Sequence, residues 1–121
     1  MEEQQVQQQP QSQQMSDKLN TFFDIEEKYY YISKLEELKN IVELLQQYFS
    51  SKEKLKILKQ KFPSKYKNIS DKELEDIRSL LSILSVLLSD FLKIARHFTT
   101  EEIKTFYQEL VYVINKVVLK Q

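Results

Sequence analysis

Few residue types in this chain are capable of chemistry, and their spacing decides of what kind. Cysteine is absent and histidine occurs once, at His97. Disulfides, thiolate metal sites and a cysteine nucleophile are thereby excluded. Ile94 stands three residues before His97, so the Glu-x-x-His pairing of di-iron bundles is not formed. Near the end of a helix, His97 instead complements the helix dipole. Glycine is also absent, which removes the loops that cradle phosphates. Glu26, Glu27, Glu36, Glu37 and Glu43 fall mostly on the solvated side of one helix rather than converging. No enzyme activity, cofactor, metal or small-molecule substrate is expected from these residues.

Binding chemistry is better represented. Lys52, Lys54, Lys56, Lys59, Lys61, Lys65, Lys67 and Lys72 form a cluster of eight lysines against only Glu53 and Asp71. Lys52, Lys56 and Lys59 share one side of a short helix; with Lys65 and Lys67 they are candidates for phosphate contact, and Tyr66 is a candidate for stacking on a base. The alternative is a solvated face opposite Leu55, Leu58 and Phe62, since lysines alone attract phosphate without specificity. Over the whole chain, 18 basic residues balance 18 acidic ones, so any electrostatic role must be local.

SDKLNTFF, residues 16 to 23, places an aliphatic residue, a two-residue gap and two aromatics after a glutamine-rich tail. Leu19, Phe22 and Phe23 in this arrangement resemble the box by which replication and repair proteins dock on sliding clamps, with Ser16 where that family has glutamine. The resemblance implies a flexible tail delivering a short turn into a preformed pocket. The structural alternative is a hydrophobic staple, Phe22 or Phe23 folding back on the first turn of a helix capped by Asp24.

Two further patterns bear on contacts. Ser79, Ser82, Ser85 and Ser89 are small residues on one side of a helix, where a neighbouring helix from the same chain or from a second copy can approach closely; facing water is the remaining option. Tyr29, Tyr30 and Tyr31 are consecutive, so at least one ring is expected to be exposed or interfacial.

The elements that must position these residues are all helices. With no glycine, and proline only at 10 and 63, hairpin turns and bulges lack their usual residues. Residues 1 to 15 hold eight glutamines and are expected to be disordered; residues 1–23 read as a tail and 24–121 as the folded domain. A first long helix is predicted from about Asp24 to Phe49, with Tyr31, Leu35, Leu38, Val42, Leu45 and Phe49 on one face and Ile32, Ile41, Leu44 and Tyr48 widening it. Ser50 and Glu53 would cap a short helix ending before Pro63, and 63–70 reads as a loop. Ser70 and Glu73 open the third helix, where Leu74, Ile77, Leu81, Leu84, Leu88, Phe91, Ala95 and Phe98 alternate by three and four; Leu80, Leu87 and Ile94 run parallel, with Ile83 and Val86 on other sides. So apolar a helix is expected to be central. Thr99 and Glu102 cap a fourth helix carrying Ile103, Tyr107, Leu110, Ile114 and Val117. The eleven uncharged residues from Ser79 to Ser89 are about half of a membrane crossing. With no signal-peptide pattern at the start, a cytoplasmic protein without membrane contact is expected.

TTEEIKTFYQEL, residues 99 to 110, is similar to a helix start in the small helical subunit of type III CRISPR effector complexes. That likeness implies RNA contact near Lys104. In that family the pattern lies toward the N-terminal half with more helices following, whereas here it ends the chain. The reading is thus an all-α, small four-helix bundle, three long helices and one short, with a disordered Gln-rich N-terminal tail. It is expected to act without catalysis, through protein partners or self-association; the alternative is an accessory nucleic-acid-associated factor.

Overall fold

Helix starts in this chain are set by side chains that satisfy the free amides of a first turn. In the computed structural model, residues 14–121 are described with their side chains, and the expectation of disorder in the earlier part of the tail lies outside those residues. Helix α1 (Glu2–Ser50) is followed by α2 (Lys52–Lys61), a single turn α3 (Pro63–Tyr66), α4 (Asp71–Ile94) with a closing 3₁₀ turn at Ala95–His97, and α5 (Thr100–Val113). The chain continues into a π-helical turn at Ile114–Val118. Among the described residues there is no strand, and the architecture is the all-α bundle of three long helices and one short one.

Local chemistry explains most boundaries. Ser70 Oγ accepts from the Glu73 amide at 3.1 Å, opening α4. Thr99 Oγ1 accepts from the Glu102 amide at 3.2 Å while Glu102 Oε1 accepts from the Thr99 amide at 2.9 Å, a complete capping box. Pro63 sits in the first turn of α3, where its missing N–H leaves no bond unmade. The expected loop at 63–70 is therefore helical in its first half.

Three features differ from expectation. Ser51 caps α2, accepting from the Lys54 amide, while Ser50 is the last residue of α1. Asp24 caps nothing, because residues 14–23 already belong to α1; no glycine or proline between Pro10 and Pro63 stops a helix from running through. Finally, α1 rather than α4 is the hub: it packs against α4, α5 and α2.

The core follows the predicted rows in the main, but Ile41, Leu44 and Val117 are exposed, and Val118 takes the buried place expected of Val117 because the wider π-helical turn shifts the register by one residue. Leu35, Leu38, Val42 and Phe49 of α1 meet Leu55, Leu74, Ile77, Leu81, Leu84, Leu88, Ile103, Leu110, Ile114 and Val118. Each such aliphatic side chain, fully buried, contributes about 1.5–3 kcal/mol. Side-chain ties to backbone lock the ends. Arg78 Nε donates to the Phe49 carbonyl at 2.7 Å, Lys28 Nζ to the Arg96 carbonyl at 2.8 Å, and Thr100 Oγ1 to the Asp24 carbonyl at 3.3 Å. The first two place cations on C-terminal carbonyls of α1 and α4, where the dipole favours them.

Candidate functional site

Helix α4 has two apolar faces, and the bundle covers one. Its covered side is fixed by neighbours on both flanks. Arg78 reaches α1 at Phe49, and the Phe91 ring stacks on Phe98 and Phe106, centroids 4.8 and 4.0 Å away, holding α5. The other side is left open by the described residues. Ile83 and Val86 are each 62% exposed, Leu87 and Ile94 are exposed, and Leu80 is half-buried. Leu80, Ile83, Leu87, Asp90 and Ile94 are spaced three, four, three and four, the register of a coiled-coil seam.

No charge interrupts this face between Arg78 and Asp90. Solvated helix faces ordinarily carry charged residues. Beyond the uncharged stretch, acids gather at the N-terminal end (Asp71, Glu73, Glu75, Asp76), and Lys93, Arg96 and His97 follow at the C-terminal end. Ser79 and Ser82 are exposed beside the seam, whereas Ser85 and Ser89 are half-buried, so the serine stripe divides between solvent and the packed side. One turn from Ile94, an open groove of about 420 Å³ between α4 and α5 is floored by Phe91, Phe98 and Phe106 and rimmed by Glu101, Glu102 and Glu109.

The other candidates that the residue patterns suggest are not gathered into this site. Leu19, Phe22 and Phe23 are exposed on the solvent-facing stretch of α1, at positions i, i+3 and i+4 of a continuous helix. Phe22 and Phe23 touch edge to face at 5.8 Å. The staple does not form, because the helix has no beginning there. Tyr29 and Tyr30 are exposed, as the triplet required of at least one, while Tyr31 packs 6.0 Å from Tyr107.

Lys52, Lys56 and Lys67 are exposed, and Lys59 and Lys65 half-buried. None of the five forms an ion pair among the described residues. Tyr66 is a correction. It is 2% exposed, its hydroxyl donates to the Val118 carbonyl at 2.6 Å, and its ring meets Phe49 edge on at 5.6 Å. A ring enclosed in the core offers no face for a base to stack on. Burial raises the Tyr66 phenol above its ordinary value. Lys104 lies half-buried on α5.

Among the described residues, no group of three or more His, Cys, Asp or Glu side chains is placed to hold a metal, and no helix is long and apolar enough to cross a membrane. Periodicity does not single out the seam, because Leu80, Leu87 and Ile94 run parallel to the core row, Ile83 and Val86 lie on other sides, and so apolar a helix is expected to be covered all round. The uncharged run was its signal. Comparison with protein-family models, characterised proteins and solved structures finds no match.

Proposed function

We propose that this chain is a non-enzymatic helical interaction module, acting through protein–protein contacts as a homo-oligomer or as the small subunit of a larger assembly. One observation supports it above others: the exposed apolar seam of α4, uncharged from Ser79 to Ser89. Apolar residues scattered singly on a surface need no explanation, but a contiguous row does. Purification of the full chain from its native cell tests this reading. The expected result is a chain recovered either as an oligomer or with a protein in fixed ratio, and released from it by Ile83→Lys with Leu87→Lys. A chain recovered as a monomer free of other protein overturns the reading.

A second reading, an accessory nucleic-acid-associated factor, is favoured by the lysines without ion pairs on α2 and after it. Three exposed lysines engaging phosphates would make log K fall against log salt with a slope of about −3 on duplex. Lys56→Glu with Lys67→Glu should weaken binding and flatten that slope. Absence of binding to both single and double strands at low salt ends this reading.

A further inference from the structure

We infer that the occupant of the α4 seam is a second copy of this chain, its α4 running antiparallel to the first. This rests on the interaction-module reading and specifies its partner. The apolar centre of the seam, Ile83 and Leu87, can pair with itself. A two-fold axis at the level of Ser85 brings Ile83 of one copy against Leu87 of the other, twice, while at each end Leu80 comes level with the other copy's Asp90 and Ile94 with its Asp76, so the apolar centre is flanked by carboxylates. Isologous pairing of one patch with itself is the usual way a homodimer closes. The small side chains of Ser79 and Ser82 leave room for the second helix to approach beside the aliphatic row.

Charge fixes the direction. Asp76 lies nine residues before the axis and Lys93 eight residues after it, so in the antiparallel arrangement each aspartate stands beside the other copy's lysine. Asp90 comes level with Leu80 of the second copy and lies at the edge of the contact, where its carboxylate stays largely exposed to water. Parallel packing instead sets Asp76 against Asp76 and Lys93 against Lys93, and like charges at such positions oppose association. Lys93 is not tied down within the bundle: it pairs with Asp90 of its own helix at 3.8 Å, and both side chains are largely exposed. From Leu80 to Ile94 the seam spans about 21 Å at 1.5 Å per residue. That makes a contact near the lower limit for specific interfaces, roughly 1,000 Å² in total, so the dimer is expected to form in the micromolar range.

Sedimentation equilibrium of the full chain, from about 1 to 100 µM, tests this, with circular dichroism confirming that each variant is folded. A monomer–dimer equilibrium is expected. Ile83→Lys should abolish it, whereas Leu44→Lys, on the exposed outer side of α1, should leave it unchanged. Asp76→Lys and Lys93→Asp should each weaken the dimer about fivefold or more, since each places two like-charge pairs at the contact. The double variant should restore it, because exchanging both charges recreates both antiparallel pairs. A folded monomer at 100 µM overturns the inference, as does dimerisation that survives Ile83→Lys or fails to recover in the double variant. If the chain is monomeric yet Ile83→Lys with Leu87→Lys still releases a foreign protein during native purification, the interaction-module reading stands and only the second copy is ruled out.

Discussion

At the scale of single residues, Tyr66 joins three parts of the chain: its ring packs on Phe49 of α1 and its hydroxyl holds the Val118 carbonyl, fastening α3 to the C-terminal turn. Tyr66→Phe should lower stability by about 1–2 kcal/mol by leaving a buried carbonyl without its donor, read as a lower urea midpoint with an unchanged slope. Its phenol is raised by burial, so this stabilisation is fully present below the unfolded tyrosine's pKa of about 10 and is lost as pH rises through the higher folded value. Alkaline destabilisation should therefore be smaller in Tyr66→Phe. The Glu102 carboxylate is held below its ordinary value by the Thr99 backbone amide and then by the Thr99 side chain. Its stabilisation is present above the unfolded glutamate's pKa and disappears as pH falls through the lower folded one, so Glu102→Gln should flatten the acid limb of a stability–pH profile. Thr99→Ala should cost about 1 kcal/mol in thermal melts. The Thr99–Glu102 pair was legible in the sequence because both partners lie within one turn. Tyr66 was not, since only the fold brings Val118 to it across 52 positions.

Individual helices show the same division. The apolar rows of α4 follow from its periodicity, but periodicity cannot say which of two adjacent rows meets a neighbour. Leu81→Ala and Ile83→Ala, two residues apart, should therefore behave differently in dilute solution below the dimer range. Leu81 is fully buried, and its truncation should cost about 2–5 kcal/mol. Ile83 is mostly exposed, and its truncation should cost no more than about 0.5 kcal/mol. On α1, residues 14–23 are all exposed, and the carbonyl of Asp24 accepts the hydrogen bond from Thr100. A chain beginning at residue 24 should keep the unfolding free energy of the full chain within about 0.5 kcal/mol, while losing helical signal in circular dichroism.

Taken whole, the molecule is a hub helix with two long helices along it and a short, lysine-rich one at its end. The short member matters to the surfaces. Helix α2 has only ten residues, so it shields Phe49 and its surroundings without extending along the bundle, and the outer side of α4 and the α4–α5 groove face solvent. Positive charge gathers on α2 and the segment after it, and the remainder of the chain carries the balancing acids. Association of the whole chain should therefore respond to salt in different ways at its two surfaces. Lysine-mediated contact with phosphate weakens steeply as salt rises, whereas a largely apolar α4 seam should change little between 0.05 and 0.5 M salt, roughly, because burial of aliphatic surface is not screened.

The sequence alone determined that this chain is helical, that Ser70 and Thr99 cap its last two long helices, and that every long helix carries an apolar row, because helix formation, capping and amphipathic periodicity are all decided within a few residues. Tertiary structure decided that α1 and not α4 is central, that Tyr66 is a core residue and not a stacking platform, and that the second row of α4 is left uncovered by the described residues. Burial is a relation between distant segments, and an apolar residue reads the same whether the helix that covers it belongs to its own chain or to another.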